Sequence, residues 1–186
     1  MLDYDKDQLE WDELVARLAA FDIRYLGDGA APHPTDVAPV PELVCRLIVD
    51  LCHVSDGRLR DVLPAFLVRH PELGSLAQDQ AELLPAESSS RQWLEVSVIV
   101  AAALQREWAF SLDLYISPNR RIEADTLAER LGLPAPDEDY GRPCLKSAAA
   151  LLRAGMDFPV DFEEGWEHAT ELLLRQLARP RLPVGT

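Results

Sequence analysis

From Arg91 to Leu114 the chain runs twenty-four residues without a glycine or a proline, and within that stretch Val96–Leu104 is apolar at every position except Ser97. Taken alone, Val96, Val98, Ile99 and Val100 suit a strand. The apolar pattern, however, continues through Ala101, Ala102, Ala103, Leu104, Trp108 and Leu112 at spacings of three and four, which is the rhythm of a helix. The segment therefore predicts one helix of about 36 Å over 91–114. Its unbroken apolar part is far shorter than the ~20 residues needed to cross a bilayer, so it reads as the buried central helix of a folded domain.

The flanking segments carry the same period. Residues 7–21 place Trp11, Leu14, Val15 and Leu18 on one face. Pro41 suits the first position of a helix over 41–54, polar only along Glu42, Arg46, Asp50 and His53. A third helix is expected over 58–70, with Leu59, Val62, Leu63, Phe66 and Leu67 inward and Pro64 kinking or splitting it. Further helices are expected within 71–84, near 124–131, over 145–153 and over 160–178. The fold class is thus all-α, an irregular multi-helix bundle around the long helix.

Four prolines and two glycines exclude regular structure from about residue 27 to residue 41. A proline-rich arm or linker of that length either wraps a surface or separates the first helix from the rest. The expected organisation is an N-terminal helix and extension (1–26), the arm (27–41), a helical domain (42–180) and a tail (181–186).

Thirty-two acidic against eighteen basic residues give a net charge of −14. The imbalance is spread along the chain: residues 1–40 carry −6, 41–90 carry −4 and 91–186 carry −4. None of these three parts is basic, which argues against nucleic acid, because binding there needs cations to displace counterions. The first residues lack a cationic region followed by an apolar one, and Cys45, Cys52 and Cys144 form an odd set without CxxC spacing. A cytoplasmic protein with reduced thiols is expected.

Chemical motifs are sparse. Glu164, His168 and Glu171 share a helix face, but that face lies opposite the apolar stripe and beside Arg175, so it reads as solvated ion pairs, and no metal is expected. Cys45 and Cys52 share a face from which His53 points away, and both read as small core side chains. No GxGxxG, GxxxxGK[ST] or GxSxG pattern occurs, and no cofactor is expected. Together these absences tilt the reading away from an enzyme.

ADTLAERLGLP (124–134) resembles the first helix and turn of a helix-turn-helix, yet the residues that follow are acidic and helix-breaking where a recognition helix belongs. LVARLAAFDIRYLGDGA (14–30) resembles the opening helix and strand of minimal nucleotidyltransferases. The glycine-serine turn and the Asp-x-Asp strand of that family are missing here, so no activity is implied.

What remains is a non-catalytic protein–protein interaction module, an adaptor or antitoxin-like neutraliser of a basic partner or a self-associating bundle. Trp11 and Tyr25 are its expected interface aromatics. The competing expectation is a small-ligand or catalytic site drawing Arg46, Asp50 and His53 from the polar strip of the second helix into a pocket or polar network.

Overall fold

The computed structural model describes residues 4–24, 26, 41–54, 56–117, 120–154 and 160–179. Among these the chain forms helices and no strand: α1 (Tyr4–Ala20), α2 (Pro41–His53), α3 (Gly57–Arg69), α4 (Gly74–Leu83), α5 (Ser89–Glu107), α6 (Ala109–Leu112), α7 (Asp125–Arg130), α8 (Arg142–Arg153) and α9 (Phe162–Ala178). Short 3-10 turns at Pro71–Leu73 and Glu138–Gly141 lead into α4 and α8. Residues 27–40 of the proline-rich arm and the 181–186 tail lie outside the described residues.

The central helix is α5, and every residue from Trp93 to Gln105 is buried. A helix buried around its whole circumference must be enclosed by neighbours on every side. Helices α2, α3, α4, α7 and α8 do this, and α9 closes over α3 and α8. Ser88 starts α5 by accepting the Arg91 backbone N–H, as an N-cap should. The far end corrects the expected span of 91–114. The helix stops at Glu107, because Trp108 takes φ −99°, ψ 16°, and the chain re-enters as the single turn α6. Pro64 does not split α3, which runs unbroken with Asp56 capping its first turn.

Helix α1 shares the core, to which it contributes Leu14 and Leu18, followed by Ile23. Polar tethers hold the stretch after it. Gln176 on α9 accepts the Arg24 N–H through Oε1 and donates through Nε2 to the Asp22 carbonyl. His70 Nε2 bonds the Phe21 carbonyl at 2.8 Å, and Arg69 pairs with Asp22 at 3.2 Å.

Two close approaches fix the packing. Gly165 on α9 lies so near α3 that a Cβ there would stand 2.5 Å from Asp61 Oδ2. At the entrance to α8, Asp139 (φ 42°), Tyr140 (φ 58°) and Gly141 (φ 81°) are successively left-handed. Such a run is costly for the non-glycine residues and is kept only where surroundings impose it. Here a Cβ on Gly141 would lie 2.5 Å from the Ala103 carbonyl oxygen of α5, so the turn is pressed directly onto the central helix. Gly141→Ala should therefore destabilise the fold by about 2–3 kcal/mol, from positive φ and backbone clash together, read as a lower midpoint in urea. An unchanged midpoint would show that the turn is not held against α5.

Candidate functional site

Beyond Trp108 the chain places apolar side chains on two opposite sides of one short stretch. Leu112 and Ile116 are buried and anchor it, with Trp108 packed partly against the core. Phe110 and Leu114, offset from those anchors by two residues, are 89% and 69% exposed, and Tyr115 is exposed beside them. The offset follows from helical geometry, since residues two apart point about 200° from one another. Arg121 braces the stretch from behind. It donates to the Gln105 carbonyl at 2.7 Å and to Asp113 at 2.5 Å, so the ridge is held by α5 itself.

The charged groups nearby are largely paired. Arg106 pairs with Asp137, Arg142 with Glu107 at 3.2 Å, and Arg121 with Asp113. Among the described residues neither Glu138 nor Asp139 makes an ion pair, and both stand on the strained turn with Tyr140, which is itself exposed. Next to it Glu107, Glu163 and Glu167 face Arg142 and Lys146 around a cleft of about 250 Å³ between α5, α8 and α9. Partial desolvation and the carboxylates of Glu107 and Glu163 raise the pKa of Glu167, against the opposing pull of Arg142. The negative charge here is crowded.

The polar strip of α2 is arranged differently. Asp50 accepts from Arg17 of α1 at 2.6 Å, which ties α1 to α2, and stands 3.8 Å from the exposed Arg46 one turn away. His53 is exposed and turns Nδ1 to its own helix, 2.8 Å from the Val49 carbonyl. None of these three lines the described cavities. Trp11 is half-buried and carries the Arg58 guanidinium 4.6 Å above its ring. Tyr25 lies outside the described residues.

The thiols are free, and burial pushes both Cys52 and Cys144 up to about 12, leaving them protonated and unreactive at neutral pH. Glu171 pairs with Arg175 at 3.2 Å, and Glu164 and His168 face solvent. Among the described residues no three His, Cys, Asp or Glu side chains gather in a way that would hold a metal ion. No known protein family, curated protein or solved structure matches the chain.

One titratable group stands apart. Burial against α9 raises Asp61 to about 7; Asp56 adds to the rise and Arg60 opposes it. The folded state thus holds this proton more tightly than the unfolded chain, whose carboxyl keeps its ordinary value of 3.8. The cost of the buried charge is absent below pH ~4, grows between pH ~4 and 7, and is fully present above pH ~7. Asp61→Asn should stabilise the protein by on the order of 2 kcal/mol at pH 8, with the gain vanishing near pH 4, as read from paired urea titrations. A pH-independent difference would place the carboxylate in water.

Proposed function

We propose that the protein is a non-catalytic protein–protein interaction module that captures a basic partner through the ridge of Phe110, Leu114 and Tyr115. The observation that carries this reading is the outward pair Phe110 and Leu114 on a stretch already anchored by Leu112 and Ile116. The stretch does not need those two side chains to pack. Burying each would contribute about 1.5–3 kcal/mol to an interface, the scale of a hot-spot residue.

Charge selects the partner. The chain carries −14, and Glu138 and Asp139, which make no ion pair among the described residues, and the carboxylate-crowded cleft lie around the end of α5 that bears the ridge. Bringing two such surfaces together opposes self-association, whereas a basic surface gains at the same place. An adaptor or neutraliser of a cationic protein fits both features.

Wild-type protein and a Phe110→Asp/Leu114→Asp variant, immobilised side by side and exposed to extract of the source cells, provide the test. The variant should keep its helicity and melting temperature, because exposed substitutions change stability by within ~0.5 kcal/mol. It should lose at least about tenfold in capture of basic proteins that high salt releases from the wild type. Equal capture by both forms would remove the ridge from function, and a salt-insensitive dimer disrupted by the same substitutions would make self-association the correct reading.

A further inference from the structure

Glu95 sits in the buried run of α5, its side chain only 7% exposed. A carboxylate there is costly unless paired, and two arginines pair with it: Arg91 from one turn earlier, at 2.8 Å, and Arg130 from α7, at 2.9 Å. Both hydrogen bonds fall on the same oxygen, Oε1. A carboxylate serving only to pin α7 would gain more from a fork in which each oxygen takes a donor. Glu95 instead borders a half-open cavity of about 150 Å³ between α4, α5 and α7, lined also by Gln78, Glu82, Thr126, Leu127 and Arg130.

The lining has a definite chemistry. It offers two carboxylates, one guanidinium with nitrogens beyond the one bonded to Glu95, a hydroxyl, an amide and a single leucine. Gln78 is held in place, since its Nε2 donates to the Glu123 carbonyl at 3.1 Å, which leaves its amide oxygen as an acceptor. A space of this volume holds a molecule about the size of benzene. Charge of both signs in so small a volume suits a ligand that carries both signs itself.

We propose that this cavity binds a small zwitterion of the α-amino-acid class, its ammonium received by Glu95 Oε2 and Glu82 and its carboxylate by Arg130, with Thr126 bonding either group. The site is separate from the ridge and its test is independent of any protein partner. Binding there couples to the fold, because Arg130 also ties α7 to α5 through Glu95, beside the buried Leu127 and Ala128.

Glycine, alanine and serine, titrated against the full chain by calorimetry and ligand-detected NMR, should bind saturably and raise the melting temperature. Methylamine and acetate, each presenting one of the two charges, should bind at least about tenfold more weakly. Glu82→Gln and Thr126→Val both alter exposed rim positions and should keep the wild-type melting temperature without ligand, while weakening alanine binding about tenfold and about threefold respectively. Absence of saturable binding by all three amino acids would overturn the proposal and leave Glu95 a structural ion pair. Methylamine binding as tightly as alanine would overturn the zwitterion assignment, and unchanged alanine affinity in both rim variants would overturn the location.

Discussion

The architecture depends on the complete enclosure of α5. Thirteen consecutive buried residues leave no solvent face on the middle of this helix, so the other elements are placed by the need to cover it. Small side chains at Ala101–Ala103 let the 137–141 turn approach close enough that only glycine fits at 141. The two longest polar side chains of the buried run, Glu95 and Gln105, lie about 15 Å apart along the axis. Each holds a different point of one passing strand of chain. Gln105 accepts the Ile122 N–H at 2.9 Å and Glu95 takes Arg130, so residues 122–130 run antiparallel to α5 between two polar clasps. Removing the Gln105 amide would leave the buried Ile122 N–H unsatisfied, and removing Arg130 would leave the buried Glu95 carboxylate to Arg91 alone.

Most of the helices were legible because a 3.6-residue period reports burial directly. The apolar positions of α3 are buried as their spacing implies, and of the α9 stripe Phe162, Trp166, Ala169, Leu173 and Leu177 all but the last are buried, Leu177 being half-buried. The same rule failed beyond Trp108. Periodicity continues there and no glycine or proline intervenes, but an apolar side chain left on the surface looks the same in sequence as one that meets the core. Phe110 and Leu114 therefore read as an extension of α5, and the helix was expected to reach residue 114 when it ends at Glu107.

Polar sites were less legible for a related reason. Arg46 and Asp50 sit together on one helix face, and that much follows from their spacing, but the counter-ion that turns Asp50 toward α1 is Arg17, thirty-three residues away. Glu95 was a lone acid in an apolar run, and its meaning rests on Arg130, thirty-five residues further on. A single sequence contains no record of which distant residues meet. Gly165 did leave a local trace, since an isolated glycine inside a helical pattern costs about 1 kcal/mol relative to alanine and so signals a close approach, here to Asp61.

Charge and apolar surface act on different stages of association, which is why a weakly structured signal such as net charge still matters. Of the fifteen arginines among the described residues, thirteen already lie within an ion pair, so these cations are largely neutralised locally and the surplus acids set the outer field. Exposed pairs of this kind add little to stability, typically 0–1 kcal/mol each. Their larger effect is to leave few uncompensated cations among the described residues. The field accelerates encounter with basic surfaces but is screened within ~10 Å at moderate salt, and it cannot by itself hold a complex. In the proposed complex, Phe110 and Leu114 would supply what the field lacks, a short-range desolvating contact that governs dissociation. Because the ridge is anchored by the buried Leu112 and Ile116 and tied through Arg121 to the enclosed helix α5, the proposed interface would have little conformational freedom left to lose on binding.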